Sequence, residues 1–179
     1  MIHKEQRVGI FIDVQNLYHS AKNLYKARVN FKELIKHLVN GRKLIRSIAY
    51  VVKTEGTEAE AVRIESSRAI SSEAAFFDAL KQAGIELRMK DIQIFPGGMK
   101  KADWDVGMAV DAIRMGGFLD VIILVTGDGD FLPLVDYAKW GLGRVVEVAA
   151  FSRTTSSKLK EEADQFIGIE DIPRVLIKK

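Results

Sequence analysis

Four aspartates follow or begin predicted secondary-structure elements, and carboxylates at such positions can bind a metal ion. Asp13 ends the apolar stretch GIFID, Asp128 and Asp130 follow the run VIILVTG, and Asp105 lies in KKADWDV. No lysine or arginine lies within eight residues of Asp128 or Asp130, so no cation nearby in the sequence offsets their charge. If the two apolar strands are neighbours, their aspartates share one edge of a sheet. Asp105 reaches the same edge if its helix begins there.

Helix capping is the alternative explanation for these aspartates. Aspartate is a favoured N-cap, and the turn from a strand into a helix is where N-caps belong. Asp13 suits the first predicted helix and Asp130 suits the helix that contains Pro133. However, four carboxylates at one edge would repel each other and raise each other's pKa unless a cation lay between them. The set as a whole therefore favours a metal site, and Mg²⁺ or Mn²⁺ is the expected ion because both prefer oxygen ligands.

Neutral polar residues and glycines complete the predicted site. Asn16 lies one helical turn beyond Asp13, and Thr126 supplies a hydroxyl group at the end of the second apolar strand. Gly127 and Gly129 let the backbone bend and leave room for a metal and a substrate. Such a site favours metal-assisted hydrolysis of a phosphodiester. The motifs of dinucleotide-binding folds, phosphate-binding loops and serine hydrolases are absent from the sequence.

The predicted elements alternate along the chain. Strands are predicted over residues 7–13, 44–53, 85–95, 121–125 and 143–151. Helices are predicted over residues 14–25, 30–41, 57–83, 101–117 and 130–141, with a short helix in the tail SSKLKEEADQF. Strands separated by helices need crossover connections, so the predicted fold is α/β, with a mostly parallel central sheet of about five strands and helices on both faces. The two most apolar strands, 7–13 and 121–125, are predicted to be central, with ligands bound beyond their carboxyl ends.

An apolar stripe marks one side of the helix predicted over 101–117. The stripe consists of Val106, Ala109, Val110 and Ile113. Asp111 lies nearly opposite this stripe on an ideal helix, so it is expected at the surface or behind the metal ligands. Asp103 is expected to cap the helix, and the three histidines of the sequence are expected at the surface.

The composition is that of an ordinary globular chain. The 179 residues, 47% hydrophobic and 28% charged, fit a single domain over residues 1–179. The absence of cysteine excludes disulfides and thiolate metal sites and fits a reducing compartment. No run approaches membrane-spanning length, so a cytoplasmic protein with no membrane contact is expected. The net charge of +3 allows a polyanionic partner, and the hydrophobic content leaves room for homodimerisation.

Three stretches together resemble the NYN domain family, and specifically its LabA-like branch. They are GIFIDVQNLY, KKADWDVGMAVDAI and VTGDGDFLPLVDYAKWG. The tail SSKLKEEADQFIGIEDI is similar to the segment that closes these domains, which here corresponds to residues 152–179. The resemblance extends from about Val8 to Ile172. It implies a PIN-like, Rossmannoid three-layer fold and a metal-dependent ribonuclease that uses Mg²⁺ or Mn²⁺.

The resemblance also implies which residues act. Catalytic roles would belong to the matching residues Asp13, Asn16, Asp105, Asp128 and Asp130. The four aspartates among them would bind metal, and Thr126 occupies the hydroxyl position of the third motif, where it would contact the substrate.

The expected partner is RNA in single-stranded form. Lys100 and Lys101 precede Asp105 and could neutralise phosphates. Tyr18 and Trp104 could stack on bases, as aromatic residues do in single-strand recognition. A non-catalytic RNA- or protein-binding module that keeps the acidic pocket as a regulatory or structural metal site is the alternative function.

Overall fold

The computed structural model of the chain describes residues 3–53, 74–91, 93–94, 96, 100–101 and 103–178. The strands are β1 (Arg7–Asp13), β2 (Ala27–Val29), β3 (Lys43–Lys53), β4 (Glu86–Asp91), β5 (Gln93–Ile94), β6 (Lys100–Lys101), β7 (Val121–Val125), β8 (Val145–Ala150), β9 (Gln165–Gly168) and β10 (Leu176–Lys178). The helices are α1 (Val14–Tyr25), α2 (Phe31–Val39), α3 (74–82), α4 (Asp105–Gly116), α5 (Leu132–Asp136) and α6 (Ser157–Glu162).

A six-stranded parallel sheet forms the centre of the molecule, with the strand order β4-β3-β1-β7-β8-β9. The predicted α/β class with a parallel central sheet is therefore confirmed, and the arrangement is consistent with a PIN-like fold. The strands β1 and β7 are central and adjacent, as their apolar sequences predict. Their side chains alternate between two cores. Ile10 and Ile123 pack on the face with α1 and α2, whereas Phe11 and Ile122 pack on the face with α4 and α5.

The sixth strand, β9, was not predicted, because the tail pattern suggested that a helix continued to Phe166. The helix α6 ends at Glu162 instead. Asp164 then pairs with the start of β8: its amide donates to the carbonyl of Val146 (2.9 Å), and its Oδ2 accepts from the Val146 amide (2.8 Å). These two bonds start the ladder that places β9 at the edge of the sheet.

The orientation of α4 differs from the one that its apolar stripe suggests. Val106 and Val110 are exposed, at 75% and 45%, whereas Met108, Ala112 and Met115 face the core. Both sets have helical spacing, because apolar residues occur on nearly every side of this helix. Periodicity alone therefore cannot choose the buried face.

Several boundaries also differ from the predictions. The predicted strand 85–95 is β4 followed by β5, and β5 pairs with β6 in an antiparallel hairpin, so α4 begins only at Asp105. The predicted helix 130–141 consists of a 3₁₀ turn, α5 and a π turn. The first part of the predicted helix 57–83, with its capping pair Thr57 and Glu60, lies outside the described residues. Nowhere in the described ranges is a helix both long enough and apolar enough to cross a membrane.

Candidate functional site

The strand order reverses between β1 and β7, and the acidic residues lie at this point. From β1 the chain continues to β3 and β4 on one side, while β7, β8 and β9 lie on the other. Ile12 pairs with Val125, so Asp13 and the turn that starts at Thr126 are neighbours beyond the carboxyl ends of the two strands. In parallel α/β sheets this position is the usual binding crevice.

Asp13 links β1, α1 and the turn after β7 through hydrogen bonds. Its Oδ1 accepts from the amide of Asn16 (3.1 Å), so it caps α1 as expected. Its Oδ2 accepts from the hydroxyl of Thr126 (3.0 Å), and that hydroxyl accepts from the amide of Asp128 (3.2 Å). Burial raises the pKa of Asp13, and the charge of Asp128 raises it further, while these hydrogen bonds oppose the shift. Asp13 is therefore both a cap and a member of the acidic set.

Asn16 holds the turn after β7 (residues 126–130), which we call the acidic turn, against α1. Its Oδ1 accepts a hydrogen bond of 2.9 Å from the amide of Gly127. The side chain thus uses its oxygen to orient the turn, and a ligand role for that oxygen would compete with this bond.

Asp105, Asp128 and Asp130 bring three carboxylates close together. Each offers one oxygen atom, and these atoms all lie within 4.8 Å of one another. Burial raises the pKa of Asp105, and the charges of Asp13, Asp103, Asp128 and Asp130 raise it further. No lysine or arginine in the described part of the chain forms an ion pair with any of the three. A set of oxygen donors with unbalanced negative charge fits a hard divalent cation.

The capping roles expected for two aspartates are wrong. Asp128, not Asp130, caps the turn after β7, since its Oδ1 accepts from the amide of Asp130 (2.9 Å). The helix α5 has no side-chain cap. At α4 the N-cap position belongs to Trp104 and not to Asp103. In each case the helix or turn begins one or two residues away from the predicted position. Such a shift changes which side chain can reach the free amides, and sequence patterns do not predict helix ends that closely.

The two glycines of the acidic turn allow close contact with the segment after β8. A Cβ atom on Gly127 would lie 3.0 Å from Thr155 Oγ1 and 3.2 Å from the Thr154 carbonyl oxygen. A Cβ on Gly129 would lie 3.1 Å from Ser156 Oγ. The Ser156 amide also donates a hydrogen bond of 3.0 Å to the Gly127 carbonyl. A side chain at either position would crowd the segment after β8.

A cleft of about 210 Å³ opens between α1 and the start of α4. It is lined by Asp13, Gln15, Asn16, His19, Tyr50, Val52, Asp103, Trp104, Asp105 and Asp128. Sequence reasoning missed Tyr50, which is the register partner of Asp13 in β3, because the strand order was not known. His19 is exposed, as expected, and it also lines the cleft, where its spacing of one helical turn beyond Asn16 could have placed it.

Comparison with known proteins identifies the family. The model of the NYN domain matches residues 7–170. The chain belongs to the NYN domain family. A crystal structure of a protein of unknown function from Vibrio parahaemolyticus is similar to this NYN domain, with a TM-score of 0.82, 26% sequence identity and 99% of each chain covered. No curated protein matches the sequence. The NYN domain is a PIN-like nuclease family, so membership indicates a ribonuclease.

The residues predicted to contact substrate occupy three different environments in this NYN domain. Thr126 is 1% exposed and bonded to Asp13, so it supports the acidic residues. Trp104 lines the cleft, and its indole Nε1 donates to the Val51 carbonyl (2.9 Å). Tyr18 is 47% exposed on α1 and does not line the cleft. The backbones of Lys100 and Lys101 form β6, and their side chains lie outside the described part of the structure.

A second cleft of about 250 Å³ is lined in part by a buried ion pair of this NYN domain. Arg42 contacts Glu147 through Nη1 at 2.6 Å and through Nη2 at 2.9 Å. Arg42 also donates to the carbonyls of Leu38 (2.7 Å) and Val39 (3.1 Å). Arg42 and Glu147 are hydrogen-bonded to each other, so the charged groups of this cleft have a structural role. The first cleft, which we call the acidic cleft, is therefore the better functional candidate.

Proposed function

We propose that this NYN domain is a metal-dependent ribonuclease of the LabA-like branch, acting on single-stranded RNA with Mg²⁺ or Mn²⁺. The observation that carries the proposal is the group formed by Asp105, Asp128 and Asp130, which lies at the switch point of the sheet. Membership of a nuclease family and a set of oxygen donors both favour metal-assisted hydrolysis of a phosphodiester.

The ion would be held by Asp105, Asp128 and Asp130, and Asp13 lines the same cleft as Asp105 and Asp128. When bound, it would lower the pKa of a water molecule and stabilise negative charge on the oxygen atoms of the phosphodiester. Thr126 and Asn16 would act through hydrogen bonds, because they orient Asp13 and the turn that carries Asp128. This arrangement gives Asn16 and Thr126 a positioning role, whereas the aspartates carry the charge.

RNA would approach over the two sides of the cleft. Tyr18 is exposed on α1, and the Lys22 ammonium group lies 5.7 Å from its ring centroid, so this pair could contact a base and a phosphate together. Lys100 and Lys101 precede Asp105 by a few residues and could contact phosphates from the other side. The cysteine-free composition fits action in the reducing cytoplasm. Homodimerisation stays a prediction, which the mass measured by light scattering over a range of concentrations would check.

Cleavage of an end-labelled, unstructured RNA tests the proposal. The wild-type protein should cleave it with Mg²⁺ or Mn²⁺ and should lose activity in EDTA. Asp128→Asn should lose about 100-fold or more, in line with the rate effects of charge-stabilising groups. Asp136→Asn is the matched control, because Asp136 is an exposed aspartate on α5 that does not line the cleft.

The same assay separates the proposed function from the alternative. If wild-type protein binds the RNA but never cleaves it with either ion, the non-catalytic binding module takes the place of the nuclease. If Asp128→Asn cleaves as fast as the wild type, the acidic turn is not catalytic.

A further inference from the structure

Trp104 lies where the acidic cleft meets the sheet, and its side chain is held there by several contacts. Its indole Nε1 donates a hydrogen bond of 2.9 Å to the Val51 carbonyl in β3. Its ring centroid lies 5.5 Å from that of Tyr50, and the Lys90 ammonium group lies 5.8 Å from it on the β4 side. An indole whose polar atom is bonded to backbone is fixed in place, so Trp104 suits a wall of the cleft better than a platform for bases.

The first turn of α4 begins at Trp104 and has no side-chain cap. Trp104 occupies the N-cap position, and its carbonyl accepts a hydrogen bond of 2.7 Å from the amide of Met108. The indole also lies against Gly107, where a Cβ atom would be 2.6 Å from Trp104 Cε3. The position of Asp105, the next residue in the chain, therefore follows from where the indole is held.

Tyr50 connects this wall to a later part of the same helix. Its hydroxyl donates a hydrogen bond of 3.0 Å to Asp111 Oδ2. The Asp111 side chain is only 14% exposed, and Arg88 Nε lies 3.6 Å from it. Burial raises the pKa of Tyr50 and the charge of Asp111 raises it further, so the hydroxyl stays protonated and acts as a donor. Asp111 was expected at the surface or behind the metal ligands. Its bond to Tyr50 connects it to Trp104, because the Tyr50 ring contacts the indole.

Lys90 holds the segment just before the helix. Its Nζ donates a hydrogen bond of 3.2 Å to the carbonyl of Asp103, in addition to its contact with the Trp104 ring. Lys90 and Tyr50 lie on β4 and β3, which are on the opposite side of β1 from β7. Contacts from these strands therefore hold one wall of the cleft relative to the turn that carries Asp128.

We propose that Tyr50, Lys90 and Asp111 are positioning residues that hold Trp104 against the sheet and so fix Asp105 opposite Asp128 and Asp130. These three residues and Trp104 form what we call the tryptophan brace. The effect on the metal site rests on the proposed function, whereas the effect on Trp104 does not.

Tryptophan emission tests the brace in the absence of metal and RNA. The sequence has two tryptophans, and Trp140 is 78% exposed, so Trp140→Phe leaves Trp104 as the reporter. In this background, Tyr50→Phe and Lys90→Met should shift the emission to longer wavelength and increase quenching by acrylamide. Asp111→Leu should do the same, whereas Asp111→Asn keeps an acceptor for the tyrosine hydroxyl and should restore the parent emission.

Metal binding and kinetics test the consequence for Asp105. In Tyr50→Phe and Lys90→Met, the Mg²⁺ concentration that gives half-maximal thermal stabilisation should rise on the order of tenfold, as expected for residues that orient metal ligands. The kcat for RNA cleavage should fall by a similar factor while KM stays unchanged. Asp120→Asn is the control for general stability loss, because it breaks the ion pair with Arg7 at the amino end of β7.

Emission, quenching and Mg²⁺ dependence that stay at parent values in Tyr50→Phe and Lys90→Met would overturn the proposal, even if the melting temperature fell as in Asp120→Asn. A protein that cleaves no RNA would refute the proposed function. The fluorescence measurements would still show whether Tyr50, Lys90 and Asp111 hold Trp104 in place.

Discussion

At the scale of single residues, the site combines carboxylates that repel each other with hydrogen bonds that keep them in place. The pKa of Asp13 and that of Asp105 are both raised, chiefly by burial. Amides and a hydroxyl group offset part of this cost at Asp13. At Asp105, burial and the charges of the neighbouring aspartates all raise the pKa. The metal-free site is therefore under electrostatic strain that a cation would relieve.

Asp105→Asn should stabilise the metal-free protein at neutral pH. A carboxyl whose pKa is raised on folding adds stability below its unfolded pKa of about 3.9, and this stability is lost as the pH rises through the folded pKa. At pH 7 the ionised Asp105 thus costs stability that asparagine does not, and each ~1 kcal/mol relieved would raise the melting temperature by about 2–4 °C. Thermal melts in EDTA check this against Asp136→Asn. The gain should vanish below about pH 3.9, and a loss at pH 7 would contradict the account.

Asp128→Ala should lose more stability than Asp130→Ala, because Asp128 is the residue that caps the turn. Loss of a cap costs about 0.5–2 kcal/mol, whereas Asp130 is exposed and caps nothing in the described structure. Urea unfolding of both variants provides the comparison. Asp128→Asn is the control that keeps a cap acceptor while removing the charge. Equal losses in the two alanine variants would show that the cap adds no stability.

At the scale of elements, the apolar strands were predictable and the contacts between elements were not. Continuous apolar runs placed β1 and β7 at the centre, and this prediction put Asp13 beside Asp128. The rotation of α4 was not predictable, because apolar residues occur on nearly every side of it. Tyr50 was missed for a different reason, since its place at the cleft depends on β3 being the neighbour of β1. Local sequence thus predicts where a strand lies along the chain, but it does not predict which strands are neighbours in the sheet.

Gly127→Ala should destabilise the protein by about 1–3 kcal/mol, the usual cost of an extra group in a closely packed place. The new methyl group would lie 3.2 Å from the Thr154 carbonyl oxygen, and backbone cannot move aside cheaply. Gly117→Ala is the matched control, because a Cβ there meets nothing within 4 Å. Chemical unfolding of the two variants tests the packing of the acidic turn on the segment after β8. Equal stability of the two variants would show that the segment after β8 can move to make room for the methyl group.

At the scale of the whole molecule, the buried ion pair of Arg42 and Glu147 is expected to act independently of the acidic cleft. Arg42→Met should cost about 3–5 kcal/mol, because it leaves Glu147 as an unpaired buried charge. Replacing both partners, as in Arg42→Met with Glu147→Leu, should recover most of that loss. Calorimetry gives the stabilities, and Mg²⁺ titration of the folded double variant should give the wild-type affinity. A weakened Mg²⁺ affinity in the double variant would tie the ion pair to the metal site.

Crystals grown with Mn²⁺ test the acidic metal site directly, because the anomalous signal of manganese locates the ion without reference to activity. If Asp105, Asp128 and Asp130 bind the ion, an anomalous peak should lie within coordination distance of their carboxylate oxygens. The peak should disappear in crystals of Asp128→Asn and persist in crystals of Asp136→Asn. A fully ordered acidic cleft with no peak at saturating Mn²⁺, or a peak only beside Glu147 in the other cleft, would contradict this assignment.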